Sequence, residues 1–121
     1  LLHAFYTGEN VLGIPVLKNY TEMEKEIRML LPEADQEKII TLDHTYHFGG
    51  YAKKTIELID FMNAFFRSND IPTDFIYTGK LMYALCDLIR KDFFPSGSRI
   101  LAIHSGGLQG NRSLKKGILD F

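Results

Sequence analysis

The stretch FIYTGKLMYALCDLIRKDFFPSGSRILAIHSGGLQGN, residues 75–111, contains in succession a polar turn, a long apolar segment, a short apolar segment and a glycine turn. From Thr78 to about Lys91 apolar residues occupy almost every side of a helix, which predicts a helix packed on most of its faces. The segment FFPSGS is predicted to end that helix. RILAIH (99–104) is a short continuous apolar run and is predicted to be an inner strand of a parallel sheet.

The remainder of the chain repeats this alternation of strands and helices. VLGIPVLK (11–18) and KIITLD (38–43) are predicted to be strands. Thr21 and Glu24 have the spacing of a capping box, which predicts that a helix begins there. A second, amphipathic helix is predicted over about residues 53–68. Strands alternating with helices predict the α/β class, and the small number of strands indicates part of a larger fold.

Composition and charge exclude several classes of function. The chain has 121 residues, of which 45% are apolar, and this is sufficient for the core of one domain. Its 14 basic and 15 acidic residues give a net charge of −1, so no broad positive field would attract nucleic acid or an anionic membrane. No run approaches the ~20 apolar residues that cross a bilayer, and the single cysteine, Cys86, forms no internal disulfide. We therefore expect a cytoplasmic protein that binds neither nucleic acid nor membrane.

Candidate functional residues lie in three turns. Ser105 and the two glycines after it follow a predicted strand, and ligands of parallel sheets bind beyond the carboxyl ends of strands. Tyr77 directly precedes the predicted helix at Thr78, and Tyr51 follows a double glycine in an irregular loop. Each has a structural alternative: the glycine turn is an ordinary turn, Thr78 caps its helix, and Tyr77 packs into the core.

Other reactive residue types favour structural roles. His44 and His47 have a His-x-x-His spacing, but no cysteine or acidic cluster completes a metal site, so no metal is expected. His104 ends an apolar segment and is interpreted as structural, as is Lys80 near the start of a helix. Cys86 lies among leucines and is interpreted as a core residue.

Three segments together resemble one enzyme family. YHFGGYAK (46–53), FIYTGKLM (75–82) and ILAIHSGGLQG (100–110) are similar, in this order, to the C-terminal third of the 1-aminocyclopropane-1-carboxylate deaminase and D-cysteine desulfhydrase family. The resemblance implies a pyridoxal 5'-phosphate (PLP) enzyme of the tryptophan-synthase-β-like fold, fold type II. It implies a three-layer, mostly parallel sheet flanked by helices, with residues 1–121 as the C-terminal portion of the large PLP-binding domain.

The resemblance also implies roles for individual residues. Tyr51 and Tyr77 correspond to tyrosines that flank the substrate side of the cofactor and are the implied catalytic residues. Ser105 corresponds to a hydroxyl that faces the pyridine nitrogen. The remaining implied cofactor-binding residues are Thr78, Gly106 and Gly107.

The same resemblance guides the choice of substrate. Family members that open the cyclopropane ring resemble Tyr-Glu-Gly-Lys, whereas this chain has Thr78 at the place of the glutamate and Ser105 in the glycine turn. This pattern favours β-elimination from a small amino acid such as D-cysteine, yielding pyruvate, ammonia and sulfide, over ring opening. An alternative from another class is a non-catalytic α/β interaction module.

One part of the implied active site is expected to lie outside this chain. The Schiff-base lysine of the family lies in an Asn-Lys motif near the N-terminus, in a segment that this chain is expected to lack, as is the phosphate-binding loop. We therefore expect the chain alone to be inactive, and the resemblance implies a homodimer for the full-length enzyme.

Overall fold

The computed structural model describes residues 10–36 and 40–121. Within these ranges the chain is α/β, as predicted. The first two residues of the predicted strand 38–43 lie outside the described residues. The elements are strands β1 (Val11–Gly13) and β2 (Ile40–Leu42), helices α1 (Met23–Met29), α2 (Ile56–Asn69) and α3 (Thr78–Arg90), and short 3₁₀ helices at Glu33–Asp35, His44–Tyr46 and Leu108–Ser113.

The two strands form a small parallel sheet. Val11 pairs with Ile40 and Gly13 with Leu42, and the Asp43 amide donates to the Gly13 carbonyl at 3.0 Å. β1 is shorter than the predicted strand 11–18, which contains Pro15, a residue without an N–H to donate. Across the described ranges this pair is the whole sheet, so the three-layer arrangement is not confirmed.

The prediction of a strand at 99–104 is wrong. These residues form no regular structure, and apolar side chains within them are exposed, with Leu101 73% accessible. A strand requires a neighbouring strand to exchange backbone hydrogen bonds, and in the described part of the chain the only paired strands are β1 and β2. An apolar run therefore indicates that a segment can be buried, but it does not show whether another strand is available to pair with it.

The predicted capping box is also wrong. The residue that precedes α1 is Glu22, and no side chain caps the helix there. Thr21 lies outside the helix, and α1 ends at Met29, before Pro32. α1 has no buried residue, so packing contributes little to hold it against the rest of the protein.

The two long helices agree with the predictions. α2 begins after Thr55, whose hydroxyl accepts a hydrogen bond from the Leu58 amide at 3.2 Å. It ends at Asn69, and the next residue, Asp70, has a left-handed conformation with φ of 55°. α3 spans Thr78–Arg90 and packs against α2 and against the 3₁₀ helix at His44–Tyr46.

The core consists of two clusters that share side chains. One is centred on Tyr46, Ala84 and Leu88, and the other on Leu58, Met62 and Phe75. Phe48 and Tyr83 pack against both clusters, and their rings meet edge to face with centroids 4.9 Å apart. Because Phe48 directly precedes the double glycine, the core fixes one side of that loop. No helix in the described ranges is both long and apolar enough to cross a membrane.

Candidate active site

Asp74 organises the turn that precedes α3. Its side chain is completely buried. Oδ1 accepts hydrogen bonds from the amides of Ile76 and Tyr77 at 2.9 and 2.8 Å, and Oδ2 accepts from the Thr78 amide at 2.9 Å and from the Thr78 hydroxyl at 2.7 Å. A carboxylate with four donors at a helix N-terminus is compensated both by hydrogen bonds and by the helix dipole. Asp74 therefore fixes the backbone of the Tyr77 turn.

Thr78 and Tyr77 have different roles in this turn. Thr78 is 1% accessible, and its hydroxyl also accepts from the Asp74 amide at 2.9 Å, so it completes the cap around Asp74. A direct contact of Thr78 with a cofactor stays a prediction. The alternative that Tyr77 packs into the core is wrong, because Tyr77 is 45% accessible.

The glycine of the Tyr-Thr-Gly-Lys turn is required by packing. A Cβ atom on Gly79 would lie 2.7 Å from the Asp74 carbonyl oxygen and 2.9 Å from the Met62 sulfur. Both contacts are far shorter than van der Waals separation. Gly79 thus lets α3 approach α2 and the Asp74 turn closely.

The loop that carries Tyr51 has an unusual backbone. Phe48, Gly49, Gly50 and Ala52 all have positive φ, at 51°, 94°, 119° and 52°. For Phe48 and Ala52 this left-handed conformation costs about 1–2 kcal/mol each. Such strain persists only where surrounding contacts hold the backbone.

Lys80 provides such a contact. It is completely buried, and its Nζ donates to the carbonyl oxygens of His47 and Gly50, both at 2.8 Å. Burial lowers the pKa of Lys80 to about 8, against an opposing effect of the nearby Asp74 carboxylate. The interpretation of Lys80 as structural agrees with this position.

Tyr51 and Tyr77 meet at the surface. Their ring centroids lie 6.0 Å apart with an interplanar angle of 65°, an edge-to-face arrangement. Hydrogen bonding with the Tyr51 phenol raises the pKa of Tyr77, and burial and the Asp74 charge raise it further. Tyr77 therefore keeps its proton at neutral pH, and both rings remain about half accessible.

The Ser105 turn is held by His104. The imidazole Nδ1 accepts from the Gly106 amide at 3.2 Å, so Nε2 carries the proton and donates to the Pro72 carbonyl at 2.9 Å. His104 is thus structural, as interpreted. Ser105 is exposed, and Gly106 and Gly107 have φ of 86° and 95°, values that favour glycine.

Asn111 and Gly107 join this turn to Asp74. The Asn111 side chain accepts from the Phe75 amide at 3.1 Å and donates to the Thr73 carbonyl at 2.9 Å. A Cβ on Gly107 would lie 3.1 Å from Asp74 Oδ2, so the glycine turn packs against that carboxylate. The structure therefore brings Tyr51 and Tyr77 into contact and places the Ser105 turn against the residue that orients Tyr77.

The site is an open face of the molecule. Two surface cavities, of about 420 and 260 Å³, lie elsewhere, and neither is lined by Tyr51, Tyr77 or Ser105. The larger lies beside α1, and the smaller is lined in part by His44 and His47. Across the described ranges, no three His, Cys, Asp or Glu side chains are placed to hold a metal ion.

Sequence reasoning missed Asp74 and Asn111 and gave Lys80 no link to Tyr51. An aspartate shortly before a predicted helix is a recognised capping signal, so Asp74 could have been found. No sequence signal indicates that Asn111 and Lys80 bind backbone atoms more than 29 residues away.

The chain is similar to curated proteins named 1-aminocyclopropane-1-carboxylate deaminase. A protein of this name from Methylobacterium nodulans is 37% identical over 68 residues, which are 56% of this chain and 20% of that protein. Those from Rhizobium radiobacter and a Bradyrhizobium strain are 30% and 34% identical, and each alignment covers 83% of this chain and 32% of the relative. No family model and no solved structure matches the chain.

These relatives are named as deaminases, which are enzymes, and three of the alignments each cover 83% of this chain. The resemblance to that family is confirmed, and the chain is consistent with a fragment of the 1-aminocyclopropane-1-carboxylate deaminase family. It spans a third or less of the length of these relatives. The preference for D-cysteine stays a prediction.

Proposed function

We propose that this chain forms one wall of the active site of a PLP-dependent deaminase that acts on a small amino acid. The observation that carries the proposal is the contact between the Tyr51 and Tyr77 phenols on an accessible face. The Ser105 turn is linked to this pair through Asp74, which fixes the Tyr77 turn and against which Gly107 packs. Two phenols in contact can donate and accept protons beside a bound amino acid.

The residues of the Ser105 turn fit one side of the cofactor. Ser105 presents an accessible hydroxyl, and nothing lies within 4 Å of the position that a Cβ would take on Gly106, so a ring can approach the backbone there. The Thr78 hydroxyl is committed to Asp74. The predicted contact with the pyridine nitrogen is therefore assigned to Ser105.

The same residues do not supply the covalent attachment. Lys80 is buried and its amine is bonded to two carbonyl oxygens, so it is assigned no bond to the cofactor. We propose that the attaching lysine and the phosphate-binding loop belong to the longer protein, which the resemblance further implies is a homodimer. When bound, PLP withdraws electrons from the substrate carbon that carries the amino group.

The side chains of this chain have three roles in the proposed reaction. Tyr77 holds a proton at its phenol oxygen and transfers it to or from the substrate. Tyr51 packs against the Tyr77 ring and orients it. With PLP bound, the neutral Ser105 hydroxyl would leave the pyridine ring less electron-withdrawing than a carboxylate partner would, and this favours β-elimination from D-cysteine over ring opening.

A second candidate is deamination of 1-aminocyclopropane-1-carboxylate, because the relatives carry that name. The two reactions release ammonia but differ in the carbon product. D-Cysteine gives pyruvate and sulfide, whereas ring opening retains all four carbons in a 2-oxo acid.

The test uses the full-length protein that contains this chain. We expect visible absorbance from bound cofactor and release of sulfide and pyruvate from D-cysteine, while residues 1–121 alone stay colourless with added PLP. Formation of the four-carbon acid would assign the second candidate. A full-length protein that binds no PLP would contradict both.

A further inference from the structure

Lys80 connects α3 to the loop that carries Tyr51. The carbonyl of His47 accepts from the Gly50 amide at 3.0 Å, and the carbonyl of Gly50 accepts from the Lys53 amide at 3.2 Å. These are two consecutive turns, and the Nζ of Lys80 bonds to the acceptor carbonyl of each. One buried amine therefore joins both turns to the first turn of α3.

The loop has few other contacts that could define its shape. Gly49 has accessible surface and Ala52 is exposed, and four of the five residues 48–52 have positive φ. The described contacts that anchor it are Phe48 in the core, the Gly49 amide on His47 Nδ1 at 2.9 Å, and Lys80. Phe48 also touches that helix through the ring of Tyr83, but of these contacts only Lys80 hydrogen bonds the backbone of the loop to the helix that Tyr77 precedes.

The Lys80 amine has enough N–H donors for the carbonyl oxygens around it in either protonation state. A protonated lysine has three N–H donors and a neutral one has two, and two carbonyl acceptors are present. The loss of one proton therefore leaves both contacts intact. Asp74 is the charged group that acts on this amine, and its own oxygens are occupied by the Tyr77 turn.

We propose that Lys80 is a positioning residue that sets the Tyr51 phenol against the Tyr77 phenol by clamping residues 47–53 to α3. This rests on the proposed function, since the positioned phenols are its proposed catalytic groups. A clamp of this kind determines turnover through the geometry of the phenols and leaves cofactor binding to other residues.

The test compares Lys80→Met with Lys116→Met in the full-length protein. Lys116 is exposed and lies outside the helix and the loop, so its replacement controls for the loss of a lysine. In Lys80→Met we expect amides of residues 47–53 to exchange with deuterium at least about ten-fold faster, with exchange in α2 unchanged. We also expect kcat/KM to fall by about ten-fold or more while the visible absorbance of bound cofactor is retained.

A conservative variant and a wild-type measurement cover the case in which Lys80→Met does not fold. Lys80→Gln keeps two N–H donors on a side chain one bond shorter, and it should recover part of both losses. In the wild type, the amides of Gly50 and Lys53, which donate to the same two carbonyls as Lys80, should be protected to the level of α3. Exchange as fast as in the exposed turn at 96–98 would overturn the clamp.

Other outcomes separate the two proposals. Unchanged exchange at 47–53 in Lys80→Met, or faster exchange with unchanged turnover, would overturn the positioning role. A wild-type protein that binds no cofactor would remove the proposed function, while the exchange measurement would still decide whether Lys80 holds the loop.

Discussion

At the scale of single residues, buried polar groups account for most of the geometry of the site. Asp74 and Lys80 are both completely buried; Asp74 is bonded to the backbone of its own Tyr77 turn, and Lys80 is bonded to the backbone of the loop that carries Tyr51. Burial of such groups is tolerated only when hydrogen bonds replace those lost to water. The two accessible phenols are thus held by two inaccessible charged residues.

Tyr77→Phe tests the assignment of the proton-transferring phenol. The change removes one oxygen and keeps the ring packed against Tyr51. In the full-length protein we expect turnover to fall by about 10²-fold or more, the usual effect of removing a general acid or base, with cofactor absorbance unchanged. Tyr20→Phe, in the residues before α1, is the matched control. Equal loss of turnover and cofactor would indicate a packing role for Tyr77.

Thr73 offers a test of stability at the same scale. Its side chain is completely buried, and its hydroxyl has no hydrogen-bond partner among the described residues. An unsatisfied buried polar group costs about 1–3 kcal/mol, so Thr73→Val, which keeps the shape, should raise the free energy of unfolding by about 1 kcal/mol. Chemical denaturation would measure the change. A clear loss of stability would show that the hydroxyl has a partner, such as a buried water molecule.

At the scale of elements, the first turn of α3 holds the parts of the site together. Thr78 completes the cap around Asp74, and Gly79 lets the helix approach α2 closely. Lys80 binds the glycine loop. The sequence predicted this helix almost to the residue because its apolar pattern is continuous. It did not predict the tasks of these three residues, because each contact depends on a segment distant in sequence.

The lowered pKa of Lys80 predicts how stability depends on pH. The pKa falls from 10.5 to about 8, so between these values the unfolded chain binds more protons and stability rises with pH. From about pH 7.5 to about pH 9.5 the free energy of unfolding should increase by about 2 kcal/mol relative to Lys80→Gln. Denaturation curves of both proteins across this range provide the measurement. Parallel pH profiles would mean that the amine is as well solvated in the fold as outside it.

At the scale of the whole molecule, local patterns were predicted better than long-range pairing. The class, both long helices and the glycine loop follow from periodicity and turn chemistry, and the resemblance points to Tyr51 and Tyr77, which the structure brings into contact. The strand at 99–104 failed because a strand is defined by its neighbours, and none pairs with these residues in the described structure. The same limit applied to Asn111, whose partners lie 36 and 38 residues away.

The exposed apolar segment 99–104 leads to a prediction about the longer protein. Leu101 is 73% accessible, and the relatives are at least three times as long as the part that aligns. We expect the remainder of the protein to cover this segment, so Leu101→Lys should lower the melting temperature of the full-length protein by several degrees. Leu30→Lys, at a residue that is 85% accessible beside α1, is the control. Equal melting temperatures for the two variants would show that the segment faces solvent.

The enclosure of the Lys80 amine has a chemical consequence. Reagents that acylate amines react with the unprotonated form, so a low pKa alone would make this lysine the first to be modified. Because the loop covers the Lys80 nitrogen, Lys80 should instead be modified last, after every exposed lysine. The rate at which an acyl label reaches Lys80 would then report how often the face that carries the two phenols opens.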